Sequence, residues 1–180
     1  MNTFDYSAID SQWTLFLDRD GVINRLIPGD YVKSVHEFKF LPGVFEALKY
    51  LGEKFGTIVV VTNQQGVGKG VMDEKDLHII HQYMLDQIHL NEGRIDDVFS
   101  CTELASHFPF SRKPNIGMAI SAKASFKNID FTRSMIVGDS PSDMEFGRRL
   151  GMCCVRIGDD PINNSFESLY DFSVHLRLCS

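Results

Sequence analysis

Eight polar residues stand out in this sequence because they combine carboxylates, a hydroxyl, an amide and two cations in close pairs. The pairs are Asp18 with Asp20, Thr62 with Asn63, Arg112 with Lys113, and Asp139 with Asp143. Carboxylates that converge repel one another unless a cation or a shared proton lies between them. A site built from oxygens alone is one that Mg²⁺ takes. The hydroxyl, the amide and the lysine add hydrogen-bond donors suited to a phosphoryl group.

The positions of the aspartates favour a shared site. Asp18 and Asp20 are two residues apart, so an extended backbone would point both side chains the same way. Asp139, arriving from a neighbouring strand, would complete the oxygen site. Simpler explanations exist: Asp-x-Asp-Gly is commonly a turn, Lys113 alone suits a solvated surface, and Asp143 suits a helix N-terminus. The catalytic interpretation is favoured because every member follows a predicted strand or lies in a loop that leads into a helix.

A glycine-rich stretch, Val61-Thr-Asn-Gln-Gln-Gly-Val-Gly-Lys-Gly70, raises the alternative of a nucleotide-binding Walker A loop. That loop needs glycine, four residues, and then Gly-Lys followed by a hydroxyl residue that holds magnesium. Gly68-Lys69 supplies the pair, but Gly70 replaces the hydroxyl and Asn63 replaces the first glycine. The pattern therefore fails at both ends.

Short apolar runs alternate with amphipathic stretches of helical length, which positions these residues at strand ends. The predicted strands are 13–17, 57–61, 97–100, 134–137 and 153–157, and the predicted helices are 43–54, 73–89, 114–126 and 142–150. Residues 172–178 fit either an edge strand or a short helix. This alternation predicts an α/β, Rossmann-like fold, a parallel sheet with helices on both faces. Ligands of such sheets bind beyond the carboxyl ends of the strands.

Length and composition limit the class of protein. The 180 residues suit one domain, 1–180. Acidic residues outnumber basic ones, 24 to 18, which disfavours broad binding to nucleic acid. No apolar run approaches the roughly 20 residues of a membrane span, and the first residues lack a secretory signal. We therefore expect a cytoplasmic protein without a membrane partner.

Two further expectations come from patterns that the sequence lacks. Its four cysteines show no Cys-x-x-Cys spacing, so we expect no disulfide framework. It has no heptad pattern and no long amphipathic edge, so we expect a monomer.

The four pairs lie in motifs that resemble those of the haloacid dehalogenase superfamily of phosphatases. The motifs are Asp18-Arg-Asp-Gly-Val-Ile-Asn24, Val-Thr62-Asn63-Gln, Arg112-Lys113-Pro and Val-Gly-Asp139-Ser-Pro-Ser-Asp143. Within the superfamily, "FLDRDGVIN", "VVTNQQGVGKG" and "RKPNIGM" are similar to the phosphatases of heptose 1,7-bisphosphate and their histidinol-phosphate relatives. The resemblance covers about 15–157. It implies the haloacid dehalogenase fold, and the short insertions leave no room for a large cap domain.

The resemblance also implies a mechanism. Asp18 would attack phosphorus, and Asp20 would act as general acid and then as general base. Thr62 and Lys113 would hold the transferring oxygens. Mg²⁺ would be held by the Asp18 carboxylate, the Asp20 backbone carbonyl and Asp139.

The same resemblance assigns supporting roles to five further residues. Asn63 and Arg112 would orient the substrate, and Asp143 would fix a metal-bound water or the neighbouring lysine. Tyr31, in the loop after the first motif, would shape the entrance. Lys69 would meet an outer part of the substrate such as a second phosphate, although a plain surface lysine is as good an explanation.

One departure from the family pattern concerns zinc. These phosphatases commonly carry Cys-x-His and later Cys-x-Cys before Arg-Lys-Pro, whereas this chain keeps only Cys101, and Pro109-Phe-Ser111 replaces the second pair. Cys101 and His107 would be two ligands, too few for a closed four-coordinate site. We therefore expect no structural zinc.

The expected function is magnesium-dependent hydrolysis of a small sugar phosphate, heptose 1,7-bisphosphate first, at the 7-phosphate. Histidinol phosphate is the alternative substrate. A polynucleotide 3′-phosphatase shares the Thr-Asn-Gln and Arg-Lys-Pro features, but the acidic balance counts against it. A non-catalytic binding domain would typically lose one of Asp18 and Asp20, and both are present.

Overall fold

A computed structural model describes residues 4–158 and 165–179 of the chain. Its strands are β1 (Thr14–Leu17), β2 (Thr57–Asn63), β3 (Asp97–Cys101), β4 (Ser134–Gly138), β5 (Cys153–Ile157) and β6 (Ser165–Phe166). They form one parallel sheet in the order β3-β2-β1-β4-β5-β6. The chain moves outward from β1 in one direction through β2 and β3, and in the other through β4 to β6. The carboxyl end of β1 is therefore a topological switch point, where ligands of open α/β sheets bind.

Within the described ranges, five α-helices cover both faces of the sheet. They are α1 (Val44–Lys54), α2 (Glu74–Leu90), α3 (Gly117–Ser125), α4 (Pro141–Leu150) and α5 (Leu169–Leu178). One apolar core contains Leu48, Met84 and Phe172, so α1, α2 and α5 share a face. The other core contains Ala119 and Phe146, which places α3 and α4 opposite. The predicted fold class is confirmed.

The strands supply both cores because successive side chains of a strand point to opposite faces. In β1, Leu15 and Leu17 belong to the first core and Phe16 to the second. In β2, Ile58 and Val60 alternate with residues of the second core in the same way. A strand buried on both faces needs an apolar side chain at every position, which is why β2 reads as a continuous β-branched run.

The predicted helix from Pro114 is wrong at its start, because α3 begins at Gly117. The Asn63 side chain explains the delay. Its Oδ1 accepts from the backbone N–H of Lys113 at 3.0 Å, and its Nδ2 donates to the carbonyl of Lys113 at 3.1 Å. Both backbone groups of that residue are thus engaged by a side chain from β2.

The sequence of residues 172–178 fits either an edge strand or a short helix, and the structure shows a helix there. The last helix, α5, begins after Ser168, whose side chain accepts from the backbone N–H of Asp171. Such a serine satisfies one of the free amides of a first helical turn. Asp73 caps α2 in the same way, as the sequence predicts.

Two long segments between the main elements contain little regular secondary structure. In the described part of the chain, residues 18–43 form turns and isolated bridges, and 102–116 contain one 3₁₀ turn, Ala105–His107. All four cysteines are free thiols in the structure. Across the described ranges, no helix combines the length and apolarity that a bilayer crossing requires.

Candidate active site

The paired polar residues meet at the carboxyl ends of β1, β2 and β4. A cavity of about 370 Å³ opens there. Its lining includes Asp18, Asp20, Tyr31, Thr62, Asn63, Lys113 and Asp139. Both Asp18 and Asp20 reach this cavity. The chain bends at Arg19, whose carbonyl accepts from the N–H groups of Ile23 and Asn24, so a turn follows β1 in place of a continued strand.

A second, larger cavity of about 760 Å³ lies on the other side of Asp139. Arg156 brings a positive charge to its lining, and Glu167 and Asp171 bring negative charges. The smaller cavity is the candidate active site because it contains the converging carboxylates together with Lys113.

Three carboxylates converge at this site. Oxygens of Asp18, Asp139 and Asp143 all lie within 4.8 Å of one another. Burial raises the pKa of Asp18 to about 7; the Lys113 charge opposes this rise, whereas Asp143 adds to it. Burial, with Asp143 nearby, raises the pKa of Asp139 to about 6. Lys113 offsets only one of these three negative charges, so the all-oxygen donor set fits a hard divalent cation.

Lys113 holds two of these carboxylates in place. Its buried ammonium donates to Asp18 Oδ1 at 2.8 Å and to the carbonyl of Val61 at 2.6 Å, and it pairs with Asp143 Oδ1 at 2.6 Å. Burial alone would lower the pKa of Lys113, but the two carboxylates outweigh it and the pKa lies above its ordinary value. The ammonium thus has two hydrogen-bond acceptors, Asp18 and Val61, and an ion pair with Asp143.

Asp143 serves as a bridge within the protein. Its Oδ2 accepts from the backbone N–H of Ser140 at 3.0 Å and from the Ser140 hydroxyl at 2.5 Å, which closes a capping box at the start of α4. Its Oδ1 faces Lys113. With both oxygens engaged and no exposed surface, Asp143 positions Lys113.

Asp20 is held differently from Asp18. Arg19 Nη2 donates to both of its oxygens at 2.9 and 3.0 Å, and the amides of Asn24 and Gln64 donate one bond each at 2.9 and 2.7 Å. Burial alone would raise the pKa of Asp20, but the Arg19 charge and these hydrogen bonds outweigh it, so the pKa lies below its ordinary value. The sequence motif therefore presents two neighbouring aspartates whose pKa values are shifted in opposite directions.

Gly21 brings the first motif against the fourth, which contains Asp139. Its φ of +86° lies in the left-handed region, and a Cβ at this position would be 2.0 Å from Asp139 Oδ2. Only glycine allows this approach. The loop backbone that follows Asp20 is consequently packed directly against the Asp139 carboxylate.

Three predicted substrate-binding residues lie around the site at different depths. Tyr31 lines the cavity, and the Nζ of the exposed Lys69 lies 5.2 Å from the centre of its ring. Arg112 does not line the cavity, but its Nη1 is buried and has no hydrogen-bond partner among the described residues. Lys69 thus lies beside a residue of the cavity lining, whereas Arg112 lies outside that lining.

Comparisons with known proteins identify the family of this chain. The sequence model of the polynucleotide kinase 3 phosphatase family matches residues 16–155. The D-glycero-alpha-D-manno-heptose-1,7-bisphosphate 7-phosphatase of Mycobacterium tuberculosis is 40% identical over 172 residues, which cover 91% of this chain and 90% of that protein. This chain belongs to the phosphatases of the haloacid dehalogenase (HAD) superfamily. It is accordingly a phosphoric monoester hydrolase.

Two further relatives extend the comparison of this HAD phosphatase. The D-glycero-beta-D-manno-heptose-1,7-bisphosphate 7-phosphatase of Rhodopseudomonas palustris is 33% identical over 159 residues, which cover 82% of this chain and 84% of that protein. The solved structure of D,D-heptose 1.7-bisphosphate phosphatase from B. bronchiseptica, complexed with magnesium and phosphate, has a TM-score of 0.84 and 26% identity. The aligned region covers 93% of this chain and 99% of that one.

Sequence reasoning missed the buried side chains that hold the HAD motif residues. Gln64 and Asn24 donate to Asp20, and Arg19 Nη1 donates to His81 Nε2 at 3.1 Å. Burial lowers the pKa of His81 to about 3, and the Arg19 charge adds to this effect, so the ring is neutral and accepts. Arg19 and Gln64 were visible in the sequence as neighbours of motif residues, but His81 has no signal beyond its place on α2.

Proposed function

We propose that this HAD phosphatase hydrolyses D-glycero-D-manno-heptose 1,7-bisphosphate at the 7-phosphate with the help of Mg²⁺. The observation that carries the substrate assignment is the 40% identity, over 91% of the chain, to a heptose-1,7-bisphosphate 7-phosphatase. The site supports the same chemistry because one carboxylate faces a lysine while a second is held nearby by hydrogen-bond donors.

In this proposal Asp18 is the nucleophile. One of its oxygens forms a bond to phosphorus, and the bond between phosphorus and the sugar oxygen breaks, which gives an aspartyl-phosphate. Asp20 donates a proton to the leaving alkoxide, and later takes one from the water that attacks phosphorus. The hydrogen bonds around Asp20 favour its ionised form, which is the state needed for the second step. The first step requires Asp20 to be protonated beforehand.

The metal ligands proposed here are Asp18, the backbone carbonyl of Asp20 and Asp139. Their support is the carboxylate cluster and the close packing of the Gly21 backbone on Asp139. When bound, Mg²⁺ would supply positive charge between the anionic phosphate and the anionic nucleophile. The relative from B. bronchiseptica was solved with magnesium and phosphate.

Further residues position the substrate in this scheme. We assign the Thr62 hydroxyl and Lys113 to the oxygens of the transferring phosphoryl group, with Lys113 also keeping Asp18 ionised. Asn63 holds the segment that carries Lys113. Tyr31, which lines the cavity, contacts the substrate, and Arg112 helps to orient it from outside that lining, where its Nη1 has no hydrogen-bond partner among the described residues.

Lys69 meets the outer, 1-phosphate end of the sugar in this proposal. Its place beside Tyr31, which lines the cavity, supports that role.

A polynucleotide 3′-phosphatase is the second candidate because that family's model matches 16–155. The chain carries a formal net charge of −6, whereas binding to a nucleic-acid backbone uses clustered basic residues. We therefore infer that nucleic acid is not a substrate. Consistent with a small sugar substrate, we further propose a monomeric, single-domain protein of the cytoplasm without a membrane partner.

Phosphate release with Mg²⁺ tests the substrate assignment. The panel contains both anomers of heptose 1,7-bisphosphate, histidinol phosphate and a 3′-phosphorylated oligonucleotide, with Asp18→Asn as the blank. We expect kcat/KM to be highest for a heptose bisphosphate. A higher kcat/KM for histidinol phosphate or for the oligonucleotide would refute the substrate assignment. The Asp18→Asn variant tests the nucleophile separately, whichever substrate is preferred.

A further inference from the structure

We propose that Gln64 is a positioning residue of the phosphatase reaction: it holds the Asp20 carboxylate and turns the Thr62 hydroxyl toward the cavity. This inference rests on the roles proposed above for Asp20 and Thr62. Gln64 follows β2 directly, is fully buried and does not line the cavity. It would therefore act on the substrate through the two residues that it contacts.

The side-chain amide of Gln64 joins two motifs. Its Nε2 donates to Asp20 Oδ2 at 2.7 Å and to Thr62 Oγ1 at 2.8 Å, so each N–H bond has its own acceptor. The opposite amide orientation would place Oε1 against the carboxylate of Asp20 and is disfavoured for that reason. The backbone N–H of Gln64 donates to the carbonyl of Cys101 at 2.7 Å, which anchors the residue to β3.

The bond to Thr62 decides where its hydrogen points. A threonine hydroxyl has one donor and two acceptor positions. Because Gln64 Nε2 can only donate, the hydroxyl accepts there and keeps its own hydrogen for another partner. Within the described ranges no acceptor takes that hydrogen, and Thr62 lines the cavity together with Asp18. The hydrogen is thus available to an oxygen of a phosphoryl group bound against Asp18.

The remaining atom of the amide argues against a purely structural role. Gln64 Oε1 is buried and has no hydrogen-bond partner in the described structure. A buried acceptor without a partner destabilises a fold, and each such group calls for an explanation. Leucine would fill the same space without this cost. The need to hold Asp20 and Thr62 from behind explains why an amide is found at this position.

A double-mutant cycle on the full chain with Mg²⁺ tests the proposal. The variants are Gln64→Leu, Thr62→Val and the double variant, and p-nitrophenyl phosphate serves as substrate so that the result does not depend on the sugar. The matched control is Gln65→Leu, because Gln65 accepts a bond from the Ala105 backbone and contacts neither Asp20 nor Thr62. Circular dichroism reports folding, and kcat and KM are measured separately.

We expect Thr62→Val to lower kcat by about 100-fold and Gln64→Leu by about tenfold, with KM changed less than kcat. The control should keep the parent kcat. If Gln64 acts partly through Thr62, its substitution lowers kcat by a smaller factor in the Thr62→Val background than in the parent. The fold decrease in kcat of the double variant is then smaller than the product of the two single decreases.

Two results would overturn the proposal: a double variant whose loss equals that product, or a folded Gln64→Leu variant with the parent kcat. If Gln64→Leu does not fold, Gln64→Met takes its place in the cycle, since it has a similar length and carries no donor. Parent-level turnover by Asp18→Asn would instead refute the proposed function itself, which keeps the two failures distinguishable.

Discussion

At the scale of single residues, the site depends on a few buried charges whose partners fix their state. Lys113 lies between Asp18 and Asp143, and Arg19 lies between Asp20 and a neutral His81. Each cation is buried, so it is stable only while its acceptors remain. The two aspartates of the first motif thereby receive different environments from neighbours on different elements.

We predict that Lys113→Met destabilises the fold by about 3–5 kcal/mol, because it leaves the buried Asp18 and Asp143 without a counter-charge. Urea unfolding measures the change. The double variant Lys113→Met/Asp143→Asn removes one of the two stranded charges and should recover part of the loss. Equal stabilities for the single variant and the parent protein would show that the ion pairs do not hold the site together.

Some residues of the site could be predicted from the sequence, and others could not. Asp18, Asp139 and Lys113 could be predicted to converge because motif spacing and strand ends are both visible in the sequence. The support from Gln64 and His81 could not, because a buried polar side chain has no periodic signal and its partners come from distant positions. The different hydrogen-bonding of Asp18 and Asp20 depends on those hidden partners.

At the scale of elements, the loop after β1 is the part that assembles the site. It turns at Arg19 rather than continuing as a strand, and Gly21 then packs on Asp139, which directly follows β4. The sequence signalled a tight turn through Asp-x-Asp-Gly. It gave no sign that Asn63 would engage the backbone of Lys113, which is why the predicted start of α3 was three residues too early.

Gly21→Ala should weaken the binding of Mg²⁺, because the new methyl group would collide with Asp139. Gly29→Ala is the matched control: its φ is +74°, yet nothing lies within 4 Å of the added Cβ. Both variants should lose about 1–2 kcal/mol of stability from the left-handed backbone. Isothermal titration calorimetry with Mg²⁺ should separate them, and similar affinities for the two variants would contradict the proposed ligand role of Asp139.

Helix α2 contributes a pH dependence through His81. The folded pKa of about 3 lies below the ordinary 6.5, so between these values the unfolded chain binds a proton that the folded protein does not. The stability that depends on the neutral His81 ring is fully present above about pH 6.5. It is lost as the pH falls below that value, by about 1.4 kcal/mol of unfolding free energy per pH unit. Arg19 and His78 oppose the charged ring and Asp20 favours it.

Chemical unfolding between pH 7 and pH 4.5 measures this effect. His81→Gln keeps an acceptor for Arg19 and should make the slope of the free energy of unfolding against pH less positive than in the parent, in which the raised pKa values of Asp18 and Asp139 contribute with the opposite sign. His78→Gln, on the exposed side of α2, should leave the slope of the parent protein. A His81→Gln slope as steep as that of the parent would show that the buried ring does not cause the dependence.

At the scale of the whole molecule, the order of the strands creates the site. With β1 between β2 and β4, the ends of three parallel strands deliver a carboxylate, a hydroxyl with an amide, and a second carboxylate to one place. The alternation of apolar and amphipathic segments was enough to predict this class of fold. The strand order follows from pairings between distant segments, which no local pattern records.

The most direct test of the central claim is ³¹P nuclear magnetic resonance of heptose 1,7-bisphosphate during turnover with Mg²⁺. We predict that the resonance of the primary 7-phosphate disappears, that the 1-phosphate remains, and that Asp18→Asn leaves both unchanged. Loss of the 1-phosphate would contradict the assignment of the reaction. Turnover by Asp18→Asn at the parent rate would contradict the assignment of the nucleophile.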